Sequence, residues 1–458
     1  METEQPHPLD AVMADRGLSL ADVAQLYRST VARHGLRSGV DRNLVWKWKT
    51  GRRKPTVESQ QYLADVFGVS RDVLANDEWP HWLRHALSSP LHVLQPPWSI
   101  SGTLRVLEEI TGGMLDRREF LVITGSTLSG LGEYWRSSFS DQVTQITVPS
   151  NAGRLTSEIL DRIANRLAEL RHLDDALGGG RDLCQLVDAE FRWLSRLAKE
   201  FDPCSTGSRL FSLVAEAARL CGWCCFDANY QAAGQAYYVA ALRASGSAGD
   251  PMTGAHVLAC MSFQAALTGH CQEAVSLIDS AQERLGHNGT PRLNALLASR
   301  KARAYAISGD AIACGRALID AEKHLEGVHE DLFEPDWIYY FDEAELAAQA
   351  GACWIDLRTP SKAREFADKA LGAIDPCYVR DCAIYHVRGA QANFQNHDLD
   401  LACQELGAAV DLAQQIDSAR TVDTIQEARK GMSRYERDGR VRELDQRLTI
   451  LTAHGNRT

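Results

Sequence analysis

The stretch GVDRNLVWKWKTGRRKP, from Gly39 to Pro55, gathers Arg42, Lys47, Lys49, Arg52, Arg53 and Lys54, with Arg37 just ahead of it. Guanidinium and ammonium groups at this density bind polyanions, because each can pair with a phosphate oxygen and release a counterion. Between Arg28 and Thr56 nine basic residues stand against one acid, Asp41, a local charge of +8. The whole chain carries −11, so the rest of it carries −19. A polyanion-binding module attached to an acidic body follows from that imbalance.

Other residues could do chemistry too. CGWCC, at Cys221–Cys225, contains a CxxC pair, which can hold zinc or cycle between thiol and disulfide. No second CxxC follows at zinc spacing, and the pair falls within a helical pattern. These thiols are therefore expected to pack as small apolar groups. DRREFLVITGSTLSGL, Asp116–Leu131, has the two arginines and small apolar run of a twin-arginine export signal. It lies behind an N-terminal module, and is read instead as an amphipathic segment docked on the C-terminal body. The sequence contains no GxxxxGK[ST], HExxH or GxSxG pattern. No enzymatic activity, cofactor or metal is expected.

At 458 residues the chain is too long for one ordinary core. Its 45% hydrophobic and 24% charged residues are those of a globular protein, and no apolar run is long enough to span a membrane. METEQPHPLD has neither a basic nor an apolar segment of a secretory signal, so the expected location is cytoplasmic with reduced thiols.

The basic residues need a frame, and helix signals supply one. Leu9, Val12 and Met13 recur at helical spacing before Gly17. Ser19 can cap a helix with Leu20, Val23, Ala24 and Tyr27 on one face, ending at Gly35. Asp41 can cap RNLVWKWKT, in which Leu44, Val45 and Trp48 form an inward seam and Arg42, Asn43, Trp46 and Lys47 face away. Pro55 and Thr56 begin a fourth helix with Tyr62, Leu63, Val66 and Phe67 inward, and SRDVL, capped by Ser70, is a fifth. Five short helices, the basic third held by the second, is how a helix-turn-helix domain is built.

The same residues carry a resemblance. GLSLADVAQLY, VDRNLVWKWKTGRRKP and FGVSRDVL together resemble the phage-repressor-like (Cro and XRE type) helix-turn-helix family over about the first 75 residues. RSTVARHGLRSG departs from it, adding roughly eight residues to a turn of about three or four. The resemblance implies that Arg42 and Asn43 meet base edges first and Trp46 and Lys47 one turn later. Arg and Lys suit guanine, Asn suits adenine, and an aromatic edge suits a thymine methyl. Arg37, Ser38, Lys49, Arg52 and Lys54 are then phosphate ligands that fix register.

Farther along, a pattern repeats. A turn residue is followed by a small residue, a large one and an alanine in five copies. The turn positions are Asn229, Gly269, Gly309, Arg358 and His397, and the closing alanines are Ala241, Ala281, Ala321, Ala370 and Ala409, spaced 40, 40, 49 and 39 apart. Each preceding helix has a small residue in register: Gly222, Ser262, Ala302, Gly351 and Ala390. The pattern resembles the tetratricopeptide (TPR) repeat, with spacings longer than its usual 34 or so residues. That resemblance implies a superhelix whose groove is lined by the first helix of each pair. Groove positions by register are Arg219, Trp223, Phe226, Asp227, His256, Phe263, Arg303, Gln391, Phe394 and Gln395.

The expected fold is all-α: a helix-turn-helix domain at 1–76, a linker with short helices at 77–150, a helical pair at 151–204, TPR-like repeats at 205–418 and C-terminal helices at 419–458. The combination looks like TPR-containing regulators of actinomycete development and antibiotic production, and like peptide-sensing regulators of other Gram-positive bacteria. It implies a transcriptional regulator that binds double-stranded DNA as a homodimer and senses a peptide, small molecule or protein in the groove, without membrane contact. A TPR scaffold that does not read DNA, and a thiol redox sensor, are the alternatives.

Overall fold

The computed structural model describes residues 7–15, 19–33, 36–67, 74, 78–83, 94, 96–112, 123–137, 155–200, 205–329 and 331–455. Every regular element among them is helical. Two compact units emerge: one within Met1–Gln95, the other comprising Pro96–Gly112 and the chain from Ile123 onward.

The first unit is built on α1 (Pro8–Asp15), α2 (Leu20–Arg33), α3 (Arg42–Lys49) and α4 (Val57–Phe67). Ser19 and Asp22 cap α2 reciprocally, the Ser19 amide donating to the Asp22 carboxylate at 2.8 Å and the Asp22 amide to the Ser19 hydroxyl at 3.3 Å. Asp41 caps α3 by accepting from the Leu44 amide at 2.9 Å. One core gathers Leu9, Val12, Val23, Tyr27, Val45, Trp48, Leu63 and Phe67. The extra residues between the second and third helices partly extend α2, burying Thr30 and Val31. Arg28 then ties α2 to the entry of α3 by donating to the Val40 carbonyl at 2.8 Å. The fifth helix expected at SRDVL lies outside the described residues, Leu74 excepted.

The segment read as a linker, 77–150, is not a spacer throughout. Trp82 and Leu83 are buried in the first unit's core, where the Trp82 indole donates to Gln60 at 3.1 Å. Farther on, α5 (Ile100–Gly112) and α6 (Gly125–Ser137) belong to the second unit. The reason is apolar patterning: Val106, Leu107 and Ile110 on α5, and Leu128, Leu131 and Trp135 on α6, have surface that must be covered. Arg243 anchors the entry to α5, donating to the carbonyls of Pro96 and Pro97 at 2.8 and 3.1 Å. The start of the twin-arginine-like segment is outside the described residues; its later part is in α6.

After α7 (Ser157–Leu177) and α8 (Arg181–Glu200) come five antiparallel pairs: α9 (Ser205–Asp227) with α10 (Gln231–Ala248), α11 (Pro251–Leu267) with α12 (Cys271–Leu285), α13 (Pro291–Ser308) with α14 (Ala311–Glu326), α15 (Glu343–Asp356) with α16 (Pro360–Ala373), and α17 (Val379–Gln395) with α18 (Leu399–Ala413). Each pair turns through the same geometry. Asn229, Gly269, Gly309, Arg358 and His397 all have positive φ, between 54° and 86°. In every case the next amide reaches back five residues to close the first helix, as Tyr230 does to the Cys225 carbonyl at 2.7 Å and Asp398 to that of Asn393 at 2.9 Å. Small residues sit where paired helices touch: a Cβ on Gly222 would lie 2.5 Å from the Tyr238 ring, and the Ser262 hydroxyl donates to the Ala274 carbonyl at 2.8 Å.

The first helices of successive pairs pack on one another as an inner row, and α19 (Ala419–Gly431) and α20 (Gly439–Gly455) close the chain. The row curls until its ends meet. Asn229 donates to Asp423 at 2.5 Å, and the Asp417 amide donates to the Leu177 carbonyl at 2.8 Å. Gly180 fits this join because a Cβ there would lie 1.9 Å from the Asp417 carboxylate.

Candidate functional site

In the first unit the helical phase of α3 separates its residues. Val45 and Trp48 are buried and Leu44 is half-buried, whereas Arg42, Asn43, Trp46 and Lys47 are exposed on the opposite side. Arg37, Arg52 and Lys54 are exposed alongside, and Ser38 is half-buried with its hydroxyl accepting from the Val40 amide at 3.2 Å. The Arg52 guanidinium lies 4.5 Å from the Trp46 ring centre, so the indole presents one face to a cation and keeps an edge free. Lys49 differs from the others: it forms an ion pair with Asp10 at 2.6 Å, which already uses the charge that was to meet a phosphate. Arg53 sits in the turn after α3, its amide donating to the Lys47 carbonyl at 3.1 Å. The surface is thus a short basic ridge with two donors of side-chain type Arg and Asn at its leading end.

The second unit holds a cavity of about 80 Å³ inside the inner row of helices. Arg219, Trp223 and Phe263 line it, as the repeat register placed them. The other groove candidates do different work. Phe226 is buried against Trp223 and Phe263. Asp227 is fully buried, accepting from the Gly179 amide at 3.0 Å and pairing with Arg420 at 2.8 Å. His256 stacks on Trp337 with ring centres 4.4 Å apart and hydrogen-bonds Tyr340 Oη at 3.1 Å. Arg303 pairs with Asp356 and joins α13 to α15. Phe394 packs edge-on against Tyr435, and Gln395 donates to the Ile355 carbonyl at 3.1 Å; Gln391, like these two, is not among the cavity's lining residues. The groove is therefore not an open channel for an extended peptide: this chain's own residues occupy it.

Two segments without repeat register do the occupying. The C-terminal half of α7 brings Arg171, Asp174 and Asp175, and the connection before α15 brings Trp337, Tyr339 and Tyr340. They meet residues of α13, α15, α17 and α19: Arg300, Glu345, Gln349, Arg380, Asp381, Ile384, Tyr385, Arg388 and Arg420. The repeat register could not reach α7 or the inserted connection. The signal that was available is the 49-residue spacing between the third and fourth copies, where the others are 39 or 40, together with the aromatic run DWIYYF inside it.

The cavity wall is heavily charged. Arg380 is buried and paired with Asp174 at 2.8 Å and with Asp175 and Asp381 at 3.6 Å each. Although burial opposes it, these carboxylates hold the Arg380 guanidinium well above its usual range. Burial pushes the Asp174 carboxyl up despite Arg380, and pushes Asp175 up to about 7. Asp227 goes the other way: burial acts to raise it, but Arg420 and Arg380 hold it below the usual carboxylate range. Arg171 pairs with Glu216 and, at 3.0 Å, with Asp336. Trp223 lies between two cations, with Arg380 and Arg420 at 5.7 and 5.5 Å from its ring centre, and its indole donates to Asp174 at 3.1 Å. His256 is held well below its usual pKa by burial and by Arg219, Arg300 and Arg171, so it is neutral at physiological pH.

The CGWCC thiols lie in the packed interface between helices. Cys221 and Cys224 are buried and Cys225 half-buried, around the close contact at Gly222. Burial raises the Cys221 thiol, and the hydrogen bond that the Cys224 thiol shares with Cys184, followed by burial, raises Cys224, which opposes thiolate formation. Among the described residues no helix is long and apolar enough to cross a membrane.

Comparison with protein-family models, with curated proteins and with solved structures finds no match for this chain.

Proposed function

We propose that the chain is a DNA-binding transcriptional regulator. Its first unit is a helix-turn-helix domain of the phage-repressor-like kind, with α3 as recognition helix. Its second unit is a TPR-like array that forms a homodimer and senses a small ligand in its interior cavity. The observation that carries the reading is the sidedness of α3. Val45 and Trp48 fix the helix to the core while Arg42, Asn43, Trp46 and Lys47 are left exposed beside Arg37, Arg52 and Lys54. Arg42 and Lys47 suit guanine O6 and N7, Asn43 suits adenine, and the free edge of Trp46 suits a thymine methyl. The rim arginines and Lys54 bind phosphates. A homodimer would set two such helices about 34 Å apart, one turn of duplex.

The test is genome-wide mapping of bound sites, followed by binding of the recovered duplex to the full chain at several salt concentrations. Arg42→Ala is expected to cost about 1–3 kcal/mol and relax preference at one base position. Lys54→Ala is expected to weaken all sequences alike and to lower the salt slope by about one. Failure of the full chain to bind any recovered site at low salt, with Arg42→Ala and Lys47→Ala indistinguishable from the parent, refutes the proposal.

A further inference from the structure

We infer that the interior cavity is a binding site for a small aromatic carboxylic acid. The inference rests on the reading of the second unit as a sensing body, and it starts from which hydrogen-bonding groups there lack partners. Among the described residues no carboxylate lies within ion-pair distance of Arg219 or Arg388, and Arg300 has only Glu345, at 4.0 Å. Nε of Arg219, Nε and Nη1 of Arg300 and Nη1 of Arg388 are buried without an acceptor. Arg219 and Arg300 are themselves 6% and 5% exposed.

The acids of the wall are by contrast engaged. Glu345 accepts from Tyr385 at 2.8 Å and from Gln349 at 2.7 Å, and burial raises its carboxyl toward the neutral form. Asp174, Asp175 and Asp381 surround Arg380. The unmet capacity of the cavity is therefore almost all cationic donor, which a bound anion would satisfy and a bound cation would worsen.

The remaining wall sets the shape. Trp223 and Phe263 are stacked within 27° of parallel, with centres 6.4 Å apart, and the Arg300 guanidinium lies 4.5 Å from the Phe263 ring centre. Flat apolar faces beside guanidiniums suit a planar ring bearing a carboxylate. About 80 Å³ excludes an extended peptide; it is roughly half the ~150 Å³ that holds a bare benzene ring, so a ring enters only if the wall yields. Gln349 Oε1, also without a partner, would accept from a hydroxyl or amide N–H on the ligand.

The test uses the full chain without DNA, so it stands apart from the operator-binding test. Calorimetry and thermal unfolding are measured with benzoate, benzamide, benzylamine and inorganic phosphate. Benzoate is expected to bind and raise Tm, while the neutral and cationic isosteres do neither. Arg219→Gln and Arg300→Gln should each weaken benzoate about tenfold or more, and Arg219→Lys should retain part of the affinity. Arg219→Met serves as the folding control: it removes a buried cation with no carboxylate partner, so the ligand-free chain should unfold no earlier than the parent. Equal binding of benzoate and benzamide, binding of phosphate but not benzoate, no binding by any probe, or full affinity in the folded Arg219→Met chain each overturns the assignment.

Discussion

Asp227→Asn tests whether the curled row of helices is held closed by charge. Asp227 is at the end of α9, fully buried, and its carboxylate joins the Gly179 amide at 3.0 Å to Arg420 of α19 at 2.8 Å. Asparagine keeps the shape and can still accept from Gly179, so the change isolates the charge. Removing one partner of a buried pair costs about 3–5 kcal/mol. Arg420 retains 15% exposure and can turn partly to water, which places the cost near the lower end, about 3 kcal/mol. The second unit spans roughly 350 residues, and at about 2.1 cal/mol/K per residue its unfolding entropy is ~0.7 kcal/mol/K, so Tm should fall by about 4 °C. Calorimetry at pH 7 on Asp227→Asn, Arg420→Met and the double variant measures the cost and the coupling, and the double variant should lose less than the two single losses together. The pH dependence adds a second constraint. The folded carboxyl titrates below its unfolded value of about 3.9, so its stabilisation is present above that pH and is lost only as the pH falls further. The gap between parent and Asp227→Asn should accordingly be constant from about pH 5 to 8 and close in stronger acid. A Tm within about 1 °C of the parent at pH 7, or additive single losses, refutes the reasoning.

Two further outcomes follow from the same unit. Asp175 has the opposite titration: its carboxyl is pushed up to about 7 by burial, so the folded chain holds a proton that the unfolded chain has released, and stability falls as pH rises from about 4 to 7. Asp175→Asn should remove that slope, gaining on the parent by about 4 kcal/mol between pH 4 and 8 in denaturant titrations; a gap that does not change with pH contradicts the assignment. Gly222→Ala places a methyl carbon 2.5 Å from the ring of fully buried Tyr238 and should destabilise by about 1–3 kcal/mol, read as a lower denaturant midpoint with an unchanged slope.

What could be read in the sequence depended on whether a signal was periodic. The inward and outward faces of α3 follow from the helical repeat, so Val45 and Trp48 separate from Trp46 and Lys47 without any knowledge of the neighbours. The five turn residues share a backbone conformation because each closes an equivalent helix, and only that local geometry is needed to align them. Asn229, Arg358 and His397 adopt it despite their side chains, so a search for glycine alone would have missed three turns of five. The pairing of Lys49 with Asp10 was not legible, because it depends on how α1 and α3 meet.

The cavity lay beyond such reasoning for a physical reason. Periodic sequence specifies helices that stack, and stacking alone leaves a concave inner row that water can enter. Here α7 and the connection carrying Trp337, Tyr339 and Tyr340 fill that row, and neither shares the repeat's register. Their polar contacts explain why they stay. Arg171 pairs with Asp336 at 3.0 Å, Tyr339 donates to Asp175, and Asp174 pairs with Arg380 at 2.8 Å, so each plug segment is bonded to the other or to the inner row. Desolvated pairs of this kind add little net stability compared with apolar packing, but they penalise any arrangement that leaves one partner alone. The repeats therefore determine the curvature, and the charged plug determines what space is left inside it. The three under-partnered arginines belong to that remaining space: Arg219, Arg300 and Arg388 come from the repeat helices, and the plug supplies aromatic faces and carboxylates already committed elsewhere, leaving Nε of Arg219, Nε and Nη1 of Arg300 and Nη1 of Arg388 without a hydrogen-bond acceptor.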